Sequence, residues 1–330
     1  MSVCLFRFPT PRRALWGLPI AAITALALPV FAQDYPARPV RIIAGFPPGG
    51  SNDLYARMVA QWLSERLGQQ FFVENRAGGA NNIGTEAVVR APADGYTLLL
   101  SNLVNAANAS LFDRLNYDFI RDTAPIAGVV RSPLVLEVHP SVPARTVPEF
   151  IAYAKANPRK LNMASGGNGS SGQMAGELFK MMAGVDMVHV PYRGVGIALT
   201  DLLSGQVQVM FDPIPSSIGH IRAGTLRPLG VTTAARWDGL PDIPSLADHV
   251  PGYEASAWYG VSGPKNLPPH VVDRLNREIN TALSDPAIKS RFAEMSAIPI
   301  PGSPADFGKH IADETEKWGK VIRTANIKPE

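Results

Sequence analysis

The residues that could do chemistry are concentrated in two glycine-rich loops. Phe46-Pro47-Pro48-Gly49-Gly50-Ser51-Asn52-Asp53 follows the apolar run Val40-Arg41-Ile42-Ile43, and Ser165-Gly166-Gly167-Asn168-Gly169-Ser170-Ser171-Gly172 follows Leu161-Asn162-Met163-Ala164. Proline has no N–H, so the donors of the first loop begin at Gly49, Gly50 and Ser51. There a following helix leaves its first amides unpaired and its dipole favours negative charge. This loop carries no Lys or Arg, so it suits a small carboxylate better than a polyphosphate. On its own it reads equally as a tight strand-to-helix turn with Ser51 as the N-cap.

Other chemistries find less support. No Gly-Lys-Ser/Thr follows the glycines, which removes a Walker loop. Arg193-Gly194-Val195-Gly196-Ile197-Ala198-Leu199 begins like a dinucleotide fingerprint but holds Leu199 at the third glycine position. Ser170 has Asn168 and Gly172 two positions to either side, so the Gly-x-Ser-x-Gly elbow is missing, and Ser165, Ser170 and Ser171 read as donors or caps. His139, His189, His220, His249, His270 and His310 never fall at i, i+3 or i+4 spacing, and the single cysteine is Cys4. Neither a metal site nor a cofactor is expected. Asp53, Glu74, His189 and Asp212 could meet in a cleft and do acid–base work, although no pair is spaced to argue for it. A secreted enzyme using Asp212 or His189 as general base is therefore the competing reading. Asp212 would otherwise take a ligand amino or hydroxyl group or cap the following turn. Asp53 reads as complementing a helix dipole.

The elements that position these loops alternate between short apolar strands and amphipathic helices, the pattern of parallel α/β layers. Leu54, Met58, Val59, Trp62, Leu63 and Leu67 form a helical stripe closed by Gly68; Phe71-Phe72-Val73 and residues 96–100 read as strands, the latter ending at Ser101-Asn102. The same layout recurs after residue 161: strand, glycine loop, helix at 173–182, strand at 187–190, the loop containing Tyr192, helix at 197–204, and a strand ending before Asp212. Two lobes with glycine loops at the carboxyl ends of their strands are expected, where open sheets bind ligands. Residues 129–138 and 258–261 are suited to cross between them, and three amphipathic helices follow.

Residues 1–32 form a separate object. Arg7, Arg12 and Arg13 precede an apolar run over residues 14–30, and Val30-Phe31-Ala32 offers small residues for cleavage, so a secretory signal peptide is expected. Those arginines are the only charges in the segment; without them basic and acidic residues balance at 28 each, which makes nucleic acid and anionic membrane poor partners. Export without a disulfide points to a bacterial periplasm.

The motifs Tyr35-Pro36-x-Arg38-Pro39-Val40-Arg41-Ile42-Ile43, Phe46-Pro47-Pro48-Gly49-Gly50-Ser51-x-Asp53, Val73-Glu74-Asn75-Arg76, Asp94-Gly95-Tyr96-Thr97-Leu98-Leu99 and His189-Val190-Pro191-Tyr192-Arg193-Gly194, in this order, resemble the Bug family. These are periplasmic solute-binding receptors of tripartite tricarboxylate transporters, and the resemblance runs from about Tyr35 to the C-terminus. It implies an α/β, two-lobed periplasmic binding protein fold of type II-like architecture, with two mixed sheets flanked by helices and a ligand cleft between the lobes. The expected division is residues 33–133 plus 256–330 for lobe 1 and 134–255 for lobe 2. Carried over by position, the ligand-binding set is Phe46, Pro48, Gly49, Gly50, Ser51, Asp53, Ser101, Asn102, Ser165, Gly169, Ser170, Ser171, Tyr192 and Asp212. The expected partners are a small organic mono- or dicarboxylate and membrane permease subunits, with the receptor a monomer; a sensor protein is the alternative partner. Gln173 stands where such receptors frequently have His, and Ala80-Asn81 replaces a more usual Gly-Gly.

Overall fold

The computed structural model describes residues 1–5 and 35–329, so the expected signal peptide lies outside the described residues. Residues 35–330 form one compact unit. Its chain order is β1 (Val40–Ala44), α1 (Ser51–Leu67), β2 (Phe71–Asn75), α2 (Asn82–Val89), β3 (Thr97–Asn102), α3 (Leu103–Leu111), α4 (Phe119–Asp122), β4 (Thr123–Val138) and α5 (Val147–Ala156). It continues with β5 (Asn162–Ser165), α6 (Ser171–Ala183), β6 (Val188–Pro191), α7 (Val195–Leu203), β7 (Val209–Pro213), α8 (Ile214–Arg222) and β8 (Arg227–Val231). The last elements are β9 (Ser256–Pro264), α9 (Pro269–Ser284), α10 (Pro286–Glu294), β10 (Ile298–Pro299) and α11 (Pro304–Ala325). Among the described residues no helix is long and apolar enough to cross a membrane.

The strands run β2-β1-β3-β9-β4-β7-β5-β6, with β8 and β10 also paired to β4. The β1–β2, β1–β3, β5–β6 and β5–β7 ladders are parallel, as short strands joined by helices require, whereas β9 is antiparallel to both β3 and β4. The long strand β4 belongs to both halves: Thr123 through Pro133 pair with β9, and Leu134 through Val138 pair with β7. The two mixed halves of the sheet thus hang on one strand.

Burial explains why the elements form where they do. One core cluster gathers Tyr55, Val59 and Leu63 of α1 with Ile42, Leu98 and Leu100 of the sheet. A larger one joins Phe150, Phe179 and Phe211 to Trp258, Phe307 and Trp318. Gly68 closes α1 in the left-handed conformation, its amide bonded to the Ser64 carbonyl, which is the stop expected of glycine. The stripe on α1 is rotated from the expected one: Tyr55 is buried and Leu54 is 39% exposed, because Tyr55 turns inward against Tyr259 of β9, Phe292 of α10 and Ser132 of β4.

Candidate functional site

A cleft of about 400 Å³ opens between the N-terminal ends of α1, α3, α6 and α7. Its walls include Gly50 and Ser51 of α1, Leu103 and Val104 of α3, Ser170 and Ser171 of α6, and Gly194 and Val195 of α7. Each parallel strand ends at this edge of the sheet and hands over to a helix that starts there, so several sets of orphan amides and several positive dipole ends converge. Among the described residues no charged side chain lines the cleft. Phe46, Val104, Gly166 and Ser170 also line an adjoining space of about 360 Å³ that reaches Leu111, Phe112 and Gly169.

The first loop is held from behind. Gly49 has φ +89°, a conformation that favours glycine, and its N–H donates to Asp53 Oδ2 at 3.0 Å. Asp53 is buried and also accepts from Arg57 Nε (3.0 Å) and from Asn75 Nδ2 (2.9 Å), while the same Asn75 amide donates to the Phe46 carbonyl at 3.1 Å. The Arg57 hydrogen bond, helped by those from Gly49 and Asn75, holds the Asp53 carboxyl down at about 2. The carboxylate therefore shapes the loop. α1 opens on Gly50, whose extended backbone brings no side-chain cap, leaving its first-turn amides at the cleft.

The α3 terminus is fixed by a buried polar chain. Asn102 is both the last residue of β3 and the N-cap of α3, accepting from Val104 N at 2.9 Å while its own N–H donates to Asn105 Oδ1 at 2.9 Å. Asn81 Nδ2 donates to the same Asn105 oxygen at 3.0 Å, and Asn105 Nδ2 reaches Thr85 Oγ1 at 2.7 Å. Asn81 takes φ +72° and packs so closely on Gly45 that a Cβ there would lie 1.4 Å from its Oδ1. The unusual Ala80-Asn81 thus positions α3.

In the second loop, His189 acts as a bracket. Its Nε2 lies 2.7 Å from Ser165 Oγ and its Nδ1 3.2 Å from Gln173 Nε2, while Gln173 Oε1 accepts from Gly169 N at 2.6 Å. Ser170 caps α6 by accepting from Gln173 N. Gly172 sits where a Cβ would meet the Phe211 carbonyl oxygen at 2.6 Å, so α6 starts directly on the end of β7.

Of the residues singled out from the sequence, Phe46, Pro48, Gly50, Ser51, Asn102, Ser170 and Ser171 come together on the cleft wall, and Gly169 lies in the adjoining space. The rest are placed behind it. Gly49 spends its amide on Asp53. Ser101 alternates to the opposite face of β3 and bonds Gly260 O and Ser262 Oγ, both at 3.0 Å. Ser165 is buried against His189, and the Tyr192 hydroxyl donates to Asp201 Oδ2 at 2.7 Å. Asp212 is fully buried against Ser217, and the next residue, Pro213, reaches the cleft instead. Sequence reasoning missed Trp258 and Tyr259 as cleft residues. Tyr259 pairs with Asn102 across the β3–β9 ladder, a register invisible before the strands are placed. Burial pushes the Tyr259 phenol up.

The family model described as the tripartite tricarboxylate transporter family receptor matches residues 55–327. The chain belongs to that family. The receptor is 38% identical to the protein BugT of Bordetella pertussis over 93% of this chain and 95% of BugT. Its structure is similar to that of R. palustris Rpa4515 with adipate, at 38% identity and TM-score 0.79 over 90% of this chain and all of that one. It is also similar to MatC from Rhodopseudomonas palustris with bound malate, at 28% identity and TM-score 0.75 over 87% of this chain and all of MatC. The receptor thus shares the fold of periplasmic solute-binding proteins rather than that of an enzyme family.

Proposed function

We propose that this receptor captures a small organic carboxylate in the cleft between α1, α3, α6 and α7 and presents it to the permease subunits of a tripartite tricarboxylate transporter. One observation carries the reading: helix N-termini from both halves of the sheet converge on a cleft whose lining, among the described residues, contains no charged side chain. Neutral amide donors at dipole ends bind an anion well, while a ligand ammonium finds no carboxylate to pair with. Phe46, Leu103, Val104, Val195 and Trp258 surround the remainder of the ligand with apolar surface. That combination suits a carboxylate with a hydrocarbon body better than an amino acid. The ligands named with the R. palustris structures, adipate and malate, are of the carboxylate class.

The ligand-contacting set of this reading is Phe46, Gly50, Ser51, Asn102, Ser170 and Ser171, with Asp53, Ser165 and Asn75 supporting the loops. Its two lobes are residues 33–133 with 256–330 and residues 134–255; the change of partner along β4 between Pro133 and Leu134 supports that boundary. The protein works as a monomer in the periplasm after removal of residues 1–32. Thermal-shift and calorimetric screening of aliphatic, aromatic and amino-acid carboxylates tests the reading. Micromolar binding of at least one non-amino carboxylate is expected, and no binder across the panel would sink it.

A further inference from the structure

One residue behind the Pro213 wall of the cleft, the sheet brings two carboxyls together in the interior. Asp212 on β7 and Glu137 on β4 are both fully buried. The ladder pairs Val135 with Asp212 and Glu137 with Met210, so both carboxyls emerge on one face, beneath α8. Ser217 of α8 joins them: its Oγ lies 2.8 Å from Glu137 Oε1 and also bonds Asp212 Oδ2. A serine hydroxyl has a single proton and can donate to only one of two carboxylates. The second short contact therefore needs a proton on a carboxyl, which donates to the serine oxygen. Glu137 Oε2 and Asp212 Oδ1 are buried without a hydrogen-bond partner among the described residues, an arrangement that disfavours a second negative charge.

Neighbouring cations are committed elsewhere. Arg227 of β8 donates to the carbonyls of Val142 and Ala144, at 2.9 and 3.0 Å. On α8, Arg222 is exposed and His220 lies against Thr225; on α7, Asp201 accepts from Tyr192. Arg236, in the segment after β8, donates to the Pro241 carbonyl at 3.4 Å, and among the described residues the elements packed on the pair supply no positive charge to compensate it.

We propose that the Glu137–Ser217–Asp212 cluster is a proton-binding site linked to the cleft, so that capture of an anionic ligand is accompanied by retention or uptake of a proton by this pair. The linkage rests on the carboxylate reading; the proton site itself does not. Burial pushes Asp212 up to about 7, and burial together with the Asp212 charge raises Glu137 well above the usual carboxylate range. An anion in the cleft repels a charge forming one residue behind its wall and raises the pair's proton affinity further. Affinity is then nearly independent of pH between about 5.5, where the ligand's own carboxyls are ionised, and about 6. It falls above about 7, by at most about tenfold per pH unit, the limit for one proton.

Calorimetry with adipate and with malate at pH 7.5, in buffers of different ionisation enthalpy, reads the proton directly. Uptake of a measurable fraction of one proton per ligand is expected for the native sequence and none for the Asp212→Asn/Glu137→Gln double variant. A second arm needs no ligand. Because the folded pair holds protons that the unfolded chain releases near pH 4, the Tm of the native protein should fall relative to the double variant between pH 5 and 8. The single Asp212→Asn variant gives the same comparison in smaller measure if the double variant does not fold. Buffer-independent heats with binding intact overturn the linkage. Parallel Tm curves overturn the proton site. Absence of binding by adipate, malate and every other carboxylate of the screening panel overturns the carboxylate reading, and the Tm arm still decides the proton site.

Discussion

Asp53 offers the sharpest separation between a residue that touches ligand and one that shapes the loop around it. Truncation by Asp53→Ala leaves the Gly49 amide without its acceptor, takes from the Asn75 amide one of its two acceptors, the Phe46 carbonyl remaining, and releases Arg57. The Arg57 side chain is 55% exposed, so its ion pair counts for well under 1 kcal/mol. The two amides and the buried setting of the carboxylate account for most of the effect, about 2 kcal/mol of folding stability in total. If the freed loop from Phe46 to Gly50 must then be ordered by the ligand, a cost of about 1.4 kcal/mol corresponds to about tenfold weaker binding. Asp53→Asn keeps an oxygen for the Gly49 N–H and should bind within about threefold of the native protein. Urea unfolding and calorimetry with the best ligand of the panel read both quantities. Equal loss of affinity in the Ala and Asn variants would refute loop shaping, since the charge would then matter more than the geometry. The acid side has a definite sign: the carboxyl sits at about 2 in the folded protein, below its ordinary 3.8. Its contribution is complete above about pH 4 and is lost as pH falls through 2.

Gly50 has φ −84° and ψ 173°, a backbone that proline nearly fits, so Gly50→Pro removes one amide donor with little strain. Calorimetry should find it at least about tenfold weaker for ligand, while Arg193→Gln stays within about threefold, consistent with a site built from amides. Gly172→Ala drives a Cβ toward the Phe211 carbonyl oxygen and should cost about 1–3 kcal/mol in urea unfolding, weakening ligand binding through displacement of α6. Trp258→Phe removes the 3.0 Å bond from Nε1 to Glu314 Oε2 and should cost about 1–2 kcal/mol in the same assay.

Periodicity and glycine placement made most of the architecture legible, and strand pleat set the limit for the site. α1 with its Gly68 stop, the strands at Phe71 and Thr97, and the long run through β4 can all be read from residue order. The α3 helix cannot, because β3 passes into it at Asn102 without a turn residue to mark the change. Within the site, the loops were visible from their glycines, yet which residue of each strand end faces the cleft depends on register. A single pleat turns Ser101 toward Ser262 and leaves Asn102 at the cleft; another sends Asp212 under α8 and Pro213 to the wall. Trp258 and Tyr259 were readable as strand residues, and only the antiparallel placement of β9 beside β3 brings them to the cleft. Gln173 and His189 are polar residues of the kind that invite a catalytic reading. Their partners show them bracing the second loop instead.

The central claim, that the cleft recognises a carboxylate through neutral donors, is tested most directly by calorimetry of one tight-binding acid against its uncharged primary amide. The two are nearly the same size, so shape and apolar contact are held constant while the charge is removed. The account predicts that the acid binds at least about a hundredfold more tightly, a difference of about 2.7 kcal/mol from several charge-assisted bonds at helix termini. An amide that binds as tightly as the acid would contradict it.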